Sequence, residues 1–431
     1  MTNQANASHS RAPDARSIAA EVVRRAGQGD AFAAAVLDAE LARYPQLDPR
    51  ERRFATELSY GTLRTWGFLR TALEGMADRG RAKLDPFTEA HLLVASYQLL
   101  FLPRVPPHAA VHRAVESVKR ARGQGLASFA NALLRRLTAS GPWPPLAEAV
   151  RASAPPWLVD ALDRSLGPGE GVAFLEAGPV PPPLGLRVRR GDREAWVEAL
   201  RAQSPGASVD PGRAAPTAIV VRGIGDPRRL PGVVSRELVV QEEGSQAVAL
   251  ALGARPNDRV LDACAGRGNK TIALADAVGP GGRVDAADLS PKKLERLREE
   301  AASAGVELGD LFAVDWSAGS GAVPERAYDR VLVDAPCSGV GTLRRRPEIA
   351  RRRTLDDVAR LADLQSTIVR RAAAAVRPGG TLVYAVCSVL AQEFEGVLGA
   401  GLEGFGPPSL RRLLPQREGT DGYSIATLVR A

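Results

Sequence analysis

From about residue 239 onward the chain alternates short apolar runs of strand type with longer helical stretches, and few architectures accommodate that alternation. The strand candidates are Arg259 to Asp262, Arg283 to Asp288, Leu311 to Val314, Arg330 to Asp334 and Thr381 to Val386. Helical stretches lie between them. One opens at Ser290-Pro291, where serine suits the cap and proline the first turn. Strands separated by helices pair in parallel, which predicts a doubly wound, mostly parallel sheet of Rossmann-like type. Such sheets bind ligands outside the carboxyl ends of their strands.

Two of the three cysteines stand at those ends. Cys337 follows Val331-Leu332-Val333 within Asp334-Ala335-Pro336-Cys337-Ser338, and Cys387 follows Thr381-Leu382-Val383-Tyr384 within Val386-Cys387-Ser388. A nucleophilic cysteine acts as its thiolate and needs a polar, partly open setting. The plainer alternative is two small buried hydrophobes. The third, Cys264, has no base in its apolar surroundings and reads as structural. Three cysteines without metal-ligand spacing point to reduced thiols in a cytoplasmic protein rather than to disulfides. All four histidines (His9, His91, His108, His112) precede residue 113, so the sheet region lacks the usual general base of Ser-His-Asp or Cys-His hydrolases. Chemistry there must run on thiols, carboxylates, lysine and arginine.

The rest of the chain divides by composition. Residues 1 to 12 read as a disordered tail. From 13 to 145 apolar residues recur at helical spacing (Ile18, Val22, Val23; Leu92, Leu93, Leu99, Leu100; Val111, Val115, Val118), with Pro106-Pro107 at a helix start. This region reads as an all-α bundle, and Arg53, Arg64, Arg70, Arg135 and Arg136 as its solvated face. Pro142-Trp143-Pro144-Pro145 and Pro155-Pro156 mark a boundary. Residues 150 to 238 form a Pro-rich α+β connector, in which Leu184 to Arg190 alternates apolar and basic like a half-exposed strand. Residues 239 to 431 make the sheet domain. No apolar run is long enough for a membrane span, and Met1-Thr2-Asn3-Gln4 does not open a signal peptide. A net charge of +8 favours a polyanionic partner.

The first sheet strand leads into Asp262-Ala263-Cys264-Ala265-Gly266-Arg267-Gly268-Asn269-Lys270-Thr271. Two glycines after a strand let backbone approach a ligand, yet the third glycine of a dinucleotide site and the spacing of a P-loop are missing. Asp288 is placed to accept from both ribose hydroxyls, and Asp315 from an adenine amino group. Carboxylates at three successive strand ends (Asp262, Asp288, Asp315) suit a cationic adenosine-bearing ligand, S-adenosylmethionine, with ordinary helix capping as the alternative for each.

Together these motifs resemble the Nop/Sun-type RNA cytosine-5 methyltransferases. The likeness rests on Asp262 to Thr271, Asp334 to Ser338 and Tyr384 to Ser388, and covers the chain from about residue 14. The helical region resembles the NusB-type RNA-binding domain of the bacterial ribosomal RNA branch through Leu58-Ser59-Tyr60-Gly61-Thr62-Leu63-Arg64 and Asn131-Ala132-Leu133-Leu134-Arg135-Arg136. DNA cytosine methyltransferases use the Pro-Cys cysteine with a Glu-Asn-Val motif not evident here. The resemblance implies that Cys387 adds to carbon 6 of cytosine, making carbon 5 nucleophilic. It implies that Asp334 holds the base at N3 and N4, that Cys337 assists product release and that Lys270 orients groups near the base or sulfonium. The cofactor would lie among Asp262, Cys264, Ala265, Gly266, Gly268, Lys270, Asp288, Asp315 and Asp334. Arg344 and Arg345, with Arg351 soon after and Arg187 in the connector, would contact RNA; Gln241 and Gln246 sit in segments lining the cleft. The target base would be unstacked, at least cost in single-stranded RNA.

Three departures stand out. Where the family usually shows Ala-Pro-Gly-Gly-Lys-Thr, this chain has Arg267 and Asn269 in place of proline and one glycine. Asn269 can adopt positive φ more readily than most residues, but it narrows the backbone approach. Pro-Glu-Glu-Asn becomes Ala391-Gln392-Glu393-Phe394, and Asp-Gly-Phe-Phe becomes Asp421-Gly422-Tyr423-Ser424. The expected activity is methylation of small-subunit (16S) ribosomal RNA by a monomer needing no metal. The alternatives are a transfer RNA methyltransferase with the same chemistry, or a non-catalytic RNA-binding factor built around the helical domain.

Overall fold

The structure, a computed structural model, describes residues 14–77, 84–399 and 401–431. The tail expected over residues 1 to 12 lies outside them. The chain forms two compact units: residues 1–156 with Arg346–Arg352, and residues 157–345 with 353–431.

The first unit is helical: α1 (Ala15–Gln28), α2 (Ala33–Arg43), α3 (Pro49–Arg64), α4 (Trp66–Met76), α5 (Pro86–Phe101), α6 (Pro107–Arg122) and α7 (Gln124–Ala139). Aspartates start three of these helices. Asp14 accepts from the Ser17 amide, Asp48 from Arg50 and Glu51, and Asp85 from Phe87 and Thr88, the last two ahead of a first-turn proline. The core gathers Ile18, Val22, Val23, Leu58, Leu92 and Leu134. Arg346–Arg352, which the sequence places just beyond the Cys337 loop, packs into this unit. Glu348 accepts from the Ala33 amide at 3.0 Å, capping α2 from a distant part of the chain. The Arg351 guanidinium lies 3.7 Å from the Trp66 ring centre, and those of Arg346 and Arg352 lie over Phe32.

The second unit holds two sheets. In the connector, β1 (Leu184–Val188), β2 (Ser208–Pro211), β3 (Ala218–Arg222) and β4 (Leu238–Val240) pair antiparallel in the order β2-β3-β1-β4. Here the half-exposed strand expected at Leu184 to Arg190 is corrected. From Gly185 to Val188 every residue of β1 is buried, Arg187 included, because Asp276 and Gln241 neutralise and bond the guanidinium.

The larger sheet contains β5 (Arg259–Asp262), β6 (Arg283–Asp288), β7 (Leu311–Ala313), β8 (Tyr328–Asp334), β9 (Val376–Val386), β10 (Ser409–Leu413) and β11 (Tyr423–Val429). Their order is β10-β11-β9-β8-β5-β6-β7. Strands β5 to β9 run parallel, while β11 pairs antiparallel with β9 and with β10. From β5 the chain goes first to β6 and β7 on one side, then returns to β8 and β9 on the other. The topological switch therefore falls between β5 and β8, where a crevice opens at the strands' carboxyl ends. Helices α8 (Glu243–Ala251), α9 (Asn269–Val278), α10 (Pro291–Ser303) and α11 (Leu355–Ala373) flank this sheet. Ser290 occupies the cap position of α10 without a side-chain cap bond; its amide donates to Asp288 instead. No described helix is long and apolar enough to cross a membrane.

Candidate active site

The loop after β5 is built around a buried carboxylate. Asp262 accepts from the Cys264 amide at 3.3 Å and from the Thr271 hydroxyl at 2.7 Å, so it ties strand to helix beneath the loop. Burial pushes its carboxyl up to about 6. Gly266 and Gly268 take positive φ, 57° and 84°. At Gly268 a Cβ would stand 2.2 Å from Leu297 Cδ1 on α10, so glycine is required there for close packing. Asn269, in contrast, is the first residue of α9 and not among the positive-φ residues. As a right-handed helical residue it makes no use of the positive φ that asparagine tolerates.

The three strand-end carboxylates are not alike. Asp262 is fully engaged below the loop. Asp288 accepts from the Gly266 amide (3.0 Å) and the Ser290 amide (2.8 Å), with Lys293 Nζ 3.3 Å away. Asp315 is exposed and accepts from the Ser317 amide and hydroxyl, bonds that draw its carboxyl below the usual range. Ala265 is buried, its amide bonded to Ala287 O. Cys264 packs against the sheet core, and burial raises its thiol well above the ordinary value.

Strands β8 and β9 carry the cysteines to one place. Asp334 lies opposite Ala385 in the parallel ladder, and beyond it Cys337 Sγ and Cys387 Sγ stand 3.3 Å apart, both half-buried. The hydrogen bond to Cys387 raises the Cys337 thiol well above its usual value, and burial adds to this. Lys270 Nζ donates to Asp334 Oδ2 at 2.7 Å. Burial pulls the lysine down, but attraction to Asp334, with smaller contributions from Cys387 and Asp262, raises it overall and keeps the ammonium charged. Among the described residues no group of three or more His, Cys, Asp or Glu is placed to hold a metal.

Beneath the thiols lies a polar network that the sequence did not single out. Glu393 is fully buried and accepts from the Ser338 amide (2.7 Å), the Ser338 hydroxyl (2.5 Å) and Gln365 Nε2 (3.1 Å). The Tyr384 hydroxyl donates to Gln365 Oε1 and to the Glu393 carbonyl. The residue next to each cysteine thus joins one scaffold, since the Ser338 and Ser388 hydroxyls are 3.3 Å apart. The available signal was a glutamate kept at the third position of an otherwise altered segment after Cys387-Ser388.

The arginines expected on RNA are largely engaged elsewhere. Arg344 is buried and donates to the Gly419 and Thr420 carbonyls. Arg345 donates to Asp421 Oδ2 and the Pro183 carbonyl. These bonds anchor the turn after Cys337 to the segment before Tyr423. Gly341 completes that anchor: its amide donates to the Cys387 carbonyl and its own carbonyl accepts from Gly422. Arg351 keeps exposed surface over Trp66, in the helical unit. Arg187 is buried within the connector sheet.

Residues 249–404 match the family model described as 16S rRNA methyltransferase RsmB/F, and residues 13–139 match that of the NusB family. The ribosomal RNA small subunit methyltransferase B of Pseudomonas syringae pv. tomato is 32% identical, covering 89% of this chain and 90% of its own. That of Vibrio cholerae is 32% identical over 90% of this chain and 91% of its own. Among solved structures, PH0851 superposes with a TM-score of 0.80 at 22% identity over 97% of this chain and 99% of its own, which shows the shared fold.

Proposed function

We propose that this chain, which belongs to the RsmB/F family of 16S rRNA methyltransferases, methylates carbon 5 of a cytosine in small-subunit ribosomal RNA through a covalent adduct with Cys387. The observation that carries the reading is the pair of thiols 3.3 Å apart beside the Lys270–Asp334 ion pair, in a unit whose sequence contains no histidine. S-adenosylmethionine fits the loop after β5. Among the described residues only the Cys264 carbonyl lies within 4 Å of where a Gly266 Cβ would stand, so the backbone is open to a ligand; Asp288 ends the next strand and Asp315 follows the one after it. When bound, it supplies an electrophilic methyl group.

The protein's own groups do the rest. The Lys270 ammonium favours the Cys387 thiolate, which adds to carbon 6 and shifts electron density to carbon 5. Lys270 occupies Asp334 Oδ2, leaving Oδ1 to accept from the exocyclic amine of the base. Once the Cys387 sulfur is bonded to carbon it no longer shares a proton with Cys337. Cys337, left holding that proton, releases it to solvent, and the thiolate so formed takes the carbon 5 proton after methyl transfer, whereupon the carbon–sulfur bond breaks and the ring double bond returns.

Supplying labelled methyl donor and RNA to the protein and locating 5-methylcytosine tests the reaction. Cys387→Ala should abolish both methylation and adduct, whereas Cys337→Ala should accumulate a covalent protein–RNA complex visible on a denaturing gel. Adduct formation by the Cys387 variant would reverse the two roles.

A further inference from the structure

A cavity of about 1130 Å³ lies between the connector sheet and the glycine loop with α9 and α10, separate from the cysteine pair. None of Asp334, Cys337 and Cys387 lines it. Its walls are strongly cationic, with Glu300 the sole carboxylate among the lining residues. Arg267 and Arg296 are exposed, and neither has a side-chain partner among the described residues. Lys293, one turn before Arg296 on α10, is itself paired with Asp288. Arg187 is only 5% exposed; its Nε and Nη1 are bonded to Gln241 and Asp276, yet its Nη2 has no partner. Arg189 shares the same Asp276, so one carboxylate serves two guanidinium groups. A fold that leaves a buried guanidinium nitrogen unpaired, beside two free arginines, has provided for an anion.

We infer that this cavity binds phosphate groups of the RNA strand adjoining the target nucleotide, with Arg267 and Arg296 as the principal contacts and Arg187 behind them. The inference rests on the RNA methyltransferase reading and adds where the strand runs. No aromatic side chain lines the cavity, so stacking of bases is not what it offers; paired guanidinium groups suit phosphate oxygens. Arg267 occupies the position where the resembled motif carries proline. That departure leaves the loop's glycine geometry intact and adds one cation facing the cavity. It is not a contact that the chemistry at Cys387 requires.

The test uses the full-length protein, the double variant Arg267→Ala/Arg296→Ala and a fluorescent single-stranded RNA containing cytosine. RNA affinity is measured by anisotropy over a series of potassium chloride concentrations, and S-adenosylmethionine affinity by calorimetry. Removing two phosphate contacts should weaken RNA binding about tenfold at low salt and flatten the slope of log affinity against log salt by about 1.4, at roughly 0.7 per contact to a single strand. Cofactor affinity and thermal midpoint should stay at their starting values. An unchanged RNA affinity and slope would overturn the inference. So would a loss of cofactor affinity with RNA binding intact, which would assign the cavity to the cofactor. A parent protein that binds RNA with the expected slope but transfers no methyl group would sink the catalytic reading while leaving the cavity assignment standing.

Discussion

Asp262 shows how a residue can be essential to a site without facing the ligand. Its carboxyl sits under the glycine loop, bonded to Cys264 and Thr271, and burial raises it to about 6. The folded chain therefore holds this proton more tightly than the unfolded chain does. The group's contribution to stability is fully present below about pH 4 and is lost as pH rises through about 6, a swing of up to about 3 kcal/mol. Asp262→Asn keeps the shape but cannot ionise. In urea unfolding, the stability of the variant relative to the parent should rise by about 1–3 kcal/mol between about pH 4 and pH 8. A difference that stays constant would remove the raised acidity. Position in sequence gave no hint of this distinction. Asp262, Asp288 and Asp315 each end or follow a strand, and only burial and bonding tell them apart: Asp262 is pinned under the loop by Cys264 and Thr271, Asp288 is buried but bonded to the loop's Gly266 amide, and Asp315 is exposed. The cysteines were readable because their flanking runs fix where β8 and β9 stop, and parallel neighbours deliver their loops to one side.

Between elements, the decisive contact is the one that holds the loops after β8 and β9 together. Glu393 binds the Ser338 amide and hydroxyl from one loop, while Ser388 in the other lies against Ser338. Glu393 touches neither thiol in this network, so it acts as a positioning residue. Glu393→Ala leaves the Ser338 amide buried without a partner, at a cost of roughly 1–3 kcal/mol, and lets Cys337 drift from Cys387. Methyl transfer should fall about 10- to 100-fold in kcat with little change in cofactor affinity, whereas Glu393→Gln, which still accepts through its carbonyl, should recover part of it. An equal loss in both variants would mean that the charge, not the bond, matters. The strands themselves followed from apolar runs ending in aspartate: β5 and β6 coincide with the sequence expectation residue for residue. The buried network did not, because its members come from β9, α11 and two loops, and no local pattern joins Gln365 to Glu393.

Across the whole molecule, the excess of 57 Lys and Arg over 49 Asp and Glu does not reside where arginines are densest in sequence. The run Arg344 to Arg346 and the triplet Arg351 to Arg353 are engaged by Asp421, by Phe32 and Trp66 in the helical unit, and by the Ser338 carbonyl. The segment that ends in Arg352 also caps α2 across 315 residues of chain, a closure that no reading of neighbouring residues could supply. Arg267 and Arg296, by contrast, are exposed and without a side-chain partner among the described residues, yet they are 29 positions apart and look unremarkable in sequence. Local density and exposure are thus separate quantities, and RNA binding should follow the second. Arg344 gives the contrast. Arg344→Ala removes a buried cation from Asp421 and from two carbonyls, and should cost roughly 3–5 kcal/mol of stability. Below the variant's lowered unfolding temperature, the salt dependence of RNA binding should match the parent, because no phosphate contact has been lost. Should the slope instead flatten by about 0.7, this guanidinium reaches RNA and its anchoring bonds give way when the strand arrives.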